Sequence, residues 1–530
     1  MSLEIDINPV AGVLRQATFF PRNTAFLYEG QEWTYARLAE ESGALTRALC
    51  SAGVQTGDRI AYLGLNSITF METMLAAWWT GAVFEPLNFR LAPAEVAGLL
   101  RQSAPTVIVV EPTHQDIIDR LLADTPDVLE GLTLVLVDND DAAPAPTQPG
   151  HHYQALTHFV AESAGHPLPD PVPAGSDDLA ILMFTSGTTG QPKGVQLTHG
   201  NVWWNSVNVD SVVDTRRGDT NLAAAPLFHI GGLNALTIRV LVRGGRTIIR
   251  RTFDPRQVLQ DIQDHQVSQA FLVPAMLSAM HATDDFGTYD LSSLRALICA
   301  GAPVPPVLLR QYASKGVPVQ QAWGLTETAP FATYLPAELT YTKPGSCGMP
   351  MPYTEVRIVD PLTDEDVAEA GMTGEMWVRG PNVTSGYWQN PDATAAAFSG
   401  GWFRTGDIGY RDEDGFLFIV DRLKDMIITG GENVYPAEVE RALMEIPGVL
   451  DVAVVGAADE RWGESVVAVM ACKEGVALTL DDVRAVSADR LARYKLPRQL
   501  LLTAEVPRNG SGKLDKSAVR ALVQRSATLA

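Results

Sequence analysis

The segment from Phe184 to His199, FTSGTTGQPKGVQLTH, has a composition suited to binding phosphate. It follows an apolar run typical of a strand, and it brings Thr, Ser, Gly and Lys together within ten residues. Backbone N–H groups of Gly-rich turns, hydroxyls and a lysine are the groups that meet phosphate oxygens. The Walker A pattern GxxxxGK[ST] does not fit, because Lys193 is followed by Gly194. The residues predict either a phosphate loop of another kind or an ordinary Gly- and Thr-rich turn.

Other segments place single polar or aromatic side chains among small residues. They are APLFHIGGL (225–233), GAPVP (301–305), QQAWGLTETAP (320–330), GWFRTGDIG (401–409) and PRNGSGKLDK (507–516). Taken singly, each has a simple structural interpretation. A lone His such as His229 is more often structural than catalytic, the Glu327 of an isolated Thr-Glu pair lies in an exposed loop, and Lys513 after a Gly-Ser-Gly stretch is solvated.

Short apolar runs that alternate with helical patterns must position these segments. DRIAYLGL and PTVIVVE predict strands, ITFMETMLAAWWTG a buried helix, and LAILMFTSG, RTIIRRTF, VSQAFLVP, LRALICAG and VPVQQAWG further strands. This alternation predicts doubly wound sheets covered on both faces, with ligands where strands end in loops. The stretches 141–150 and 166–178, rich in Pro, Ala and Gly, predict surface loops or linkers.

The last third of the chain has a different pattern. TEVRIVD, GEMWVRG and GWFRTGDIGYRDEDGFLFIVDR predict a small β-rich subdomain that ends near Arg422. AEVERALMEI and DDVRAVSADRLARY predict helices around the strands DVAVVGA and ESVVAVMACKE. The fold class is therefore α/β, with a large domain (1–422) and a small α+β domain (423–530).

Charge and composition exclude several classes of function. The 530 residues carry a net charge of -22, which disfavours nucleic acid as a partner because such binding depends on many Lys and Arg. Cys50, Cys299, Cys347 and Cys472 form no CxxC pair and are expected to be buried, reduced thiols. The N-terminus MSLEIDINPV lacks the features of a signal peptide, and no run is long enough to span a bilayer. A soluble, cytoplasmic protein is expected.

The order and wording of these segments resemble the adenylate-forming superfamily, which includes acyl-CoA synthetases, coumarate-CoA ligases, luciferases and peptide synthetase adenylation domains. The resemblance runs from TYARLAEES to the last lysine, over nearly the whole chain. It implies activation of a carboxylic acid with ATP and Mg²⁺ as an acyl-adenylate, followed by transfer of the acyl group to coenzyme A. It also implies that the C-terminal domain is mobile.

The resemblance assigns site residues by position. Trp323, where the family usually has Tyr, would stack on adenine, Gln321 would meet its amino edge, Asp407 would bind the ribose, and Glu327 would bind Mg²⁺. The residues assigned to ATP or AMP are Thr185, Ser186, Gly187, Thr188, Thr189, Gly190, Lys193, Gly301, Ala302, Pro303, Gln321, Ala322, Trp323, Gly324, Leu325, Thr326, Asp407, Arg422 and Lys513. The residues expected to act in catalysis are Lys513, Glu327, Thr185, His229 and Lys193.

The acid, the CoA tunnel and the hinge are assigned in the same way. His229 would stand beside the carboxylate, Gly430 and Gly431 would line the pantetheine tunnel, and Lys424 would be the hinge. The residues expected around the acid are His229, Gly231, Gly232, Leu233, Ala300, Gly301, Gly324 and Ala329.

The substrate remains open at this point. No aspartate follows His229, which argues against a free amino acid, and the small and apolar residues favour a hydrophobic monoacid. A medium- or long-chain fatty acid is expected first, with a hydroxycinnamate or other aryl acid as the alternative. A further alternative is an acyl-AMP ligase that loads a carrier protein, although the Gly430-Gly431 pair favours CoA. The partners expected are the small-molecule acid, ATP and CoA, and a homodimer is one assembly that the sequence allows.

Overall fold

The structure of the 530-residue chain is a computed structural model. The structure describes residues 5–144, 152–185, 192–429, 432–459, 461–488, 490–508 and 514–529. The chain divides into two compact units: unit 1 holds residues 1–356 and 378–403, and unit 2 holds residues 357–377 and 404–530. The predicted domain boundary at Arg422 stays a prediction.

The α-helices of the described residues lie between and around the strands. They are α1 (Pro9–Phe19), α2 (Tyr35–Ser51), α3 (Ile68–Trp79), α4 (Pro93–Ser103), α5 (Gln115–Asp124), α6 (Leu156–Glu162), α7 (His199–Val212), α8 (Ile230–Asn234), α9 (Thr237–Val242), α10 (Pro255–His265), α11 (Pro274–His281), α12 (Pro306–Ala313), α13 (Pro391–Ala397), α14 (Pro436–Met444), α15 (Leu480–Ser487) and α16 (Lys516–Leu529).

The strands of the described residues are short, except for a long pair in unit 2. They are β1 (Thr24–Tyr28), β2 (Gln31–Thr34), β3 (Arg59–Leu63), β4 (Val83–Pro86), β5 (Val107–Val110), β6 (Thr133–Leu136), β7 (Gln154–Ala155), β8 (Leu179–Thr185), β9 (Lys193–Thr198), β10 (Thr220–Ala223), β11 (Arg246–Ile249), β12 (Gln269–Leu272), β13 (Ala296–Cys299), β14 (Val319–Gly324), β15 (Phe331–Tyr334), β16 (Met349–Pro350), β17 (Glu355–Val359), β18 (Gly374–Arg379), β19 (Phe398–Ser399), β20 (Trp402–Arg411), β21 (Leu417–Arg422), β22 (Ile427–Thr429), β23 (Glu432–Val434), β24 (Val449–Asp459), β25 (Gly463–Cys472) and β26 (Gln499–Leu502).

A nine-stranded sheet of unit 1 has the order β16-β15-β14-β13-β12-β10-β11-β1-β2. Its central strands, from β14 through β11 to β1, pair in parallel, and β15, β16 and β2 are antiparallel additions. The carboxyl ends of β10, β13 and β14 therefore lie at the same edge. This edge is where a doubly wound sheet binds ligands.

A seven-stranded sheet of unit 1 has the order β7-β6-β5-β3-β4-β8-β9. All of its pairings are parallel except that between β8 and β9. Helix α3 begins at the N-cap Ser67, whose Oγ accepts the Phe70 N–H at 3.0 Å, and every residue of the helix is buried. A helix that is apolar on all sides belongs in the interior, which confirms the prediction for this segment.

A five-stranded sheet combines β17, β18, β20, β19 and β21. Another in unit 2 has the order β23-β22-β25-β24, with β26 paired to β25. Alternate residues of β24 and β25 bury opposite faces: Val452 and Val454 pack with α14 and α15, whereas Ala453 and Val455 pack with α16. Such alternation is what two-sided burial of a sheet requires.

Most predicted elements are confirmed, with two corrections. The helix predicted over DDVRAVSADRLARY ends at Ser487, because the chain turns there and brings Leu491 and Leu496 into the core beside α15. Cys299 and Cys347 are buried, but Cys50 is exposed at the end of α2 and Cys472 is partly exposed, so burial was wrong for these two thiols. All four are free thiols.

No helix in the described part of the chain is both long enough and apolar enough to cross a membrane.

The buried acid Glu85 on β4 predicts a pH dependence of stability. It is fully buried, and neither carboxyl oxygen has a hydrogen-bond partner among the described residues. Burial raises the pKa of Glu85 from 4.5 to about 8, an effect that the nearby Ser103 hydroxyl and the charge of Arg59 oppose only in part. The folded protein therefore holds a proton that the unfolded chain releases, and stability falls as the pH rises from about 4.5 to about 8.

We expect Glu85→Gln to remove this loss, because glutamine has no proton to release. In urea unfolding the variant should match the wild type near pH 5 and should be more stable above pH 8, by at most ~4 kcal/mol. Glu130→Gln, at an exposed glutamate, is the matched control. Parallel pH profiles for wild type and Glu85→Gln would contradict the assignment.

Candidate active site

The phosphate-loop segment joins two antiparallel strands. Thr185 ends β8 and lies opposite Lys193, which begins β9, and the Thr185 hydroxyl lies 3.5 Å from the Lys193 carbonyl oxygen. Both side chains are half-buried. The predicted phosphate-binding residues between them, Ser186, Gly187, Thr188, Thr189 and Gly190, lie outside the described residues. The two ends of the predicted loop are thus held side by side at the end of a strand pair.

Tyr387 links the lysine of this segment to the acid of the Thr-Glu pair. The Tyr387 hydroxyl donates to Oε1 of Glu327 at 3.0 Å, and Lys193 Nζ lies 4.9 Å from the centre of the Tyr387 ring. Tyr387 and Glu327 are both buried. Burial, together with the Glu327 charge, raises the pKa of Tyr387 above its ordinary value, so the phenol stays protonated and donates to the carboxylate.

The backbone supports this arrangement. Residues 384–388 run beside β9: Gln196 N–H donates to the Gly386 carbonyl at 3.1 Å, and Trp388 N–H donates to the Gly194 carbonyl at 2.7 Å. Thr384 N–H donates to the Glu327 carbonyl at 2.8 Å. A cation over an aromatic face and a charge-assisted hydrogen bond therefore sit on a rigid frame.

His229 occupies the N-cap position of α8 and is exposed. Its ring packs against Phe228, with ring centres 4.2 Å apart. The preceding loop is held by Asn66, whose side chain donates to the Ala225 carbonyl at 3.0 Å and accepts the Leu227 N–H at 2.8 Å. The histidine is thus presented to solvent by a loop that is fixed in place.

Close approach explains the two glycines after His229. A Cβ atom at Gly231 would lie 2.6 Å from the Phe271 ring, and one at Gly232 would lie 2.3 Å from the Pro226 carbonyl oxygen. Neither position can carry a side chain without movement of its neighbour. Leu233, the next predicted residue, is fully buried in α8.

The ends of β13 and β14 adjoin through the pairing of Cys299 with Gln321. Ala300 is buried, whereas Gly301, Ala302 and Pro303 form an exposed loop. Gln321 is 4 % exposed, and its Nε2 has no hydrogen-bond partner among the described residues. A buried amide donor without a partner is costly, so it suits a ligand that brings an acceptor.

Trp323 is buried on β14, and Ala322 and Gly324 beside it are half-buried. Leu325 and Thr326, also half-buried, lead into the short 3-10 helix Thr326–Thr328 that contains Glu327. Gly324 is required by the fold, since a Cβ atom there would lie 1.8 Å from the Pro330 carbonyl oxygen.

Two buried asparagines hold the loop after Glu327. Asn382 donates to the carbonyls of Thr328 and Phe331, each at 2.9 Å, and Asn234 donates to the Ala329 carbonyl at 2.6 Å. Ala329 is itself fully buried. The loop between β14 and β15 is therefore fixed by side chains from distant parts of unit 1.

Within unit 2, Asp407 and Arg422 lie opposite each other on β20 and β21. Arg422 Nε is 2.6 Å from Asp407 Oδ1, and the Asp407 side chain is 5 % exposed against 46 % for Arg422. A buried carboxylate beside an exposed guanidinium can accept hydroxyl hydrogen bonds while the cation meets an anion. The structure thus brings together the two residues predicted for the ribose and phosphate.

Lys424 is exposed in the short 3-10 helix Leu423–Asp425. The acids on either side of it are anchored within unit 2. Asp421 accepts the Ala437 N–H at 2.6 Å, and Asp425 pairs with Arg520 at 2.7 Å. Burial raises the pKa of Asp421, and the charge of Lys516 opposes this shift. The predicted hinge is therefore a solvated lysine between two fixed neighbours.

Three predicted residues, Gly430, Gly431 and Lys513, lie outside the described residues. The described residues nevertheless fit the groups that the reaction needs. Gln321 offers an orphaned donor beside a buried indole, and Asp407 offers a buried carboxylate. Glu327 offers a carboxylate oxygen of the kind that Mg²⁺ prefers. The described residues contain no group of three or more His, Cys, Asp or Glu side chains that could hold a metal ion.

Comparison with known proteins defines the class of this fold and site. Residues 13–388 match the family model of the AMP-binding enzymes, and residues 438–513 match that of the AMP-binding enzyme C-terminal domain. The chain belongs to the AMP-binding enzyme family. It is an AMP-forming acyl-CoA synthetase, an acid–thiol ligase that uses ATP, Mg²⁺ and CoA, as the sequence predicts.

Individual relatives cover almost the whole chain. A feruloyl-CoA synthase of Amycolatopsis sp is 40% identical over 96% of this chain and 97% of its own length. The long-chain-fatty-acid–CoA ligase FadD13 of Mycobacterium tuberculosis is 35% identical over 98% of this chain and 99% of its own. The structure of o-succinylbenzoate CoA synthetase from Bacillus subtilis, in complex with its acyl-adenylate intermediate, is 30% identical with a TM-score of 0.83, covering 96% of this chain and 97% of that one.

The sequence interpretation missed Asn66, Asn234, Asn382 and Tyr387. Each is a polar or phenolic residue in an apolar or turn-rich stretch, and it lies outside the segments that the sequence singles out. The sequence offered one signal: asparagines beside apolar runs, such as Asn66 and Asn234, are expected to be buried. A buried amide must find partners, but the sequence does not say which.

We expect Tyr387→Phe to weaken metal binding at Glu327, because the variant loses the hydrogen bond to the Glu327 carboxylate. The aromatic ring below Lys193 is kept. Loss of a hydrogen bond to a charged group is worth ~1.5–3 kcal/mol. The Mg²⁺ concentration for half-maximal ATP–pyrophosphate exchange should rise about ten-fold, and direct Mn²⁺ binding followed by electron paramagnetic resonance should weaken in parallel. Tyr353→Phe, at an exposed tyrosine of the same unit, should change neither. A fall in kcat without a change in metal dependence would contradict this role.

Proposed function

We propose that this acyl-CoA synthetase activates an aromatic monocarboxylic acid. The observation that carries the proposal is the cluster of rings and apolar side chains beside the predicted acid residues. Phe271 contacts Gly231 and packs on Phe331, with ring centres 6.2 Å apart, in a buried cluster that includes Ala300. Aromatic faces and edges of this kind favour a planar ring as their ligand.

The size of the space beyond these rings supports the same proposal. Phe331 and Met351 are 1 % and 2 % exposed, and the cavity beside them measures only about 10 Å³. A ring on a short linker ends at such a wall, whereas a long alkyl chain needs a continuing channel. Two of the three similar proteins described above are named for aromatic acids, feruloyl and o-succinylbenzoate.

A fatty acid is the second candidate, because FadD13 is similar over nearly its whole length. The sequence alone favoured this candidate. The aromatic acid takes first place over the fatty acid for two reasons: the buried aromatic cluster, and the higher identity of the feruloyl-CoA synthase.

In the first half-reaction, the acid's carboxylate attacks the α-phosphorus of ATP and pyrophosphate leaves. Lys193 and the Thr185–Thr189 segment meet the phosphate oxygens, and Trp323 and Gln321 hold the adenine. When bound at Glu327, Mg²⁺ offsets the charge of the leaving group. Asp407 and Arg422 bind the ribose, and Lys513 bridges the acid and the α-phosphate.

In the second half-reaction, the C-terminal domain turns about Lys424, and the CoA thiol, guided by Gly430 and Gly431, attacks the acyl-adenylate. No protein nucleophile is required. His229 gates the channel through which the acid enters. A cytoplasmic location and a homodimeric assembly remain predictions from the sequence.

The identity of the acid is tested by CoA consumption across acetate, medium- and long-chain fatty acids, benzoates and hydroxycinnamates. We expect hydroxycinnamates or other ring-bearing acids to have the highest kcat/KM, by at least about ten-fold over fatty acids. An alkyl chain that fits poorly in a site shaped for a ring loses ~1–3 kcal/mol of binding. A maximum at a long-chain fatty acid would refute the proposal and support the second candidate.

The role of Lys513 is tested by separating the half-reactions. We expect Lys513→Ala to lower ATP–pyrophosphate exchange by at least about 100-fold, because a charge that meets the transition state is lost. Transfer to CoA from a supplied acyl-adenylate should remain close to wild type. Lys473→Ala, at an exposed lysine of unit 2, is the control. Equal loss of both half-reactions would refute the assignment.

A further inference from the structure

A small cavity lies inside unit 1 beside β14. Its volume of about 10 Å³ has room for one oxygen-sized group. Its walls are mostly apolar, and they include Ile298, Ala322, Phe331 and Met351. Gln320, Gln321 and Tyr334 also line it, so this mostly apolar space has polar groups in its wall.

The side chain of Gln320 faces this cavity because of strand alternation. Val319 belongs to the core cluster on the α12 side of the sheet, whereas Ile298, the partner of Gln320 in β13, and Phe331 belong to the cluster on the other side. Side chains alternate along β14, so Gln320 and Ala322 point into the second cluster, and Gln321 points away with Val319. The side chains of the two neighbouring glutamines therefore leave β14 on opposite faces.

The side-chain carbonyl oxygen of Gln320 is a hydrogen-bond acceptor that no donor reaches among the described residues. Its side chain is 5 % exposed, and its Oε1 makes no hydrogen bond among the described residues. A buried carbonyl oxygen loses its water on folding, and an apolar wall cannot replace that hydrogen bond. The group that completes this site must bring an O–H or N–H donor.

Three elements predicted to surround the acid lead to this cavity. From α8, Gly231 contacts Phe271, which packs on Phe331 in the cavity wall. From β13, Ile298 lines the cavity two residues before Ala300. From β14, Ala322 lines it two residues before Gly324. Along these two strands the cavity therefore lies further from the carboxyl edge of the sheet than Ala300 and Gly324 do.

We propose that Gln320 is a specificity-determining residue that accepts a hydrogen bond from a hydroxyl group on the ring of the acid. The inference rests on the proposed aromatic substrate and narrows it to ring-hydroxylated acids. The direction of the hydrogen bond matters. A phenolic hydroxyl donates to Oε1, whereas a hydrogen atom or a methyl ether at the same ring position leaves the carbonyl unpaired.

The test compares 4-hydroxycinnamate, cinnamate and 4-methoxycinnamate as substrates of the full-length enzyme. In the wild type, kcat/KM for 4-hydroxycinnamate should exceed that for each of the other two by at least about ten-fold, because those two leave the buried acceptor unpaired. In Gln320→Leu this preference should fall to about two-fold or reverse, since leucine has no acceptor to leave unsatisfied. Equilibrium binding of the three acids by calorimetry should change in the same order.

Gln320→Met is the second variant, because its unbranched side chain has nearly the length of glutamine and keeps the cavity filled if leucine disturbs the fold. Gln499→Leu, at an exposed glutamine of unit 2, is the matched control and should keep the wild-type preference. Folding of each variant is checked by thermal unfolding.

The outcomes separate this inference from the proposed function. If the wild type activates aromatic acids but ignores the hydroxyl, or if both Gln320 variants keep the preference, the inference is overturned and the aromatic substrate stands. A change in melting temperature with an unchanged preference shows that Gln320 binds only a structural water, which also overturns it. If fatty acids alone are activated, the proposed function fails, and this inference fails with it.

Discussion

The hydrogen bonds that buried asparagines donate to the loop between β14 and β15 are the constraint on which much of unit 1 depends. Asn382 reaches the carbonyls of Thr328 and Phe331, and Asn234 reaches that of Ala329. An irregular backbone segment cannot satisfy its own polar groups when buried, so side chains must do so. With the loop fixed, Glu327 at one end and Phe331 at the other are held on opposite sides of the same short segment.

The protein handles a polyanionic substrate with a strongly acidic chain. A net charge of -22 gives no general attraction to phosphate, so positive charge has to be supplied at chosen points. Lys193 lies over the Tyr387 ring, and Arg422 pairs with the buried Asp407. Each cation is thus oriented by a partner that keeps it in place without removing it from solvent. Local placement of charge replaces a broad basic surface.

Much of the fold was predictable because its signals are local. The fully buried α3 follows from twelve residues with one acid among apolar and small side chains, and β8 and β14 follow from short apolar runs that end in polar turns. The error at α15 had a different cause. The helical pattern continued past Ser487, but packing of Leu491 and Leu496 against the core ended the helix earlier. Propensity yields to tertiary contacts when the two disagree.

The sequence by itself determined the chemistry: a motif order typical of acid activation, strand ends that carry the reactive side chains, and an acidic composition. Only the tertiary structure decided how those side chains are held. Tyr387 meets Glu327 across 60 residues of chain, and Asn382 meets Thr328 across 54. Which of Gln320 and Gln321 faces the cluster that contains Phe331 likewise depends on which face of β14 each neighbouring cluster covers. Contacts over such separations are set by packing and by the need to pair buried polar groups, which no local pattern of residues encodes.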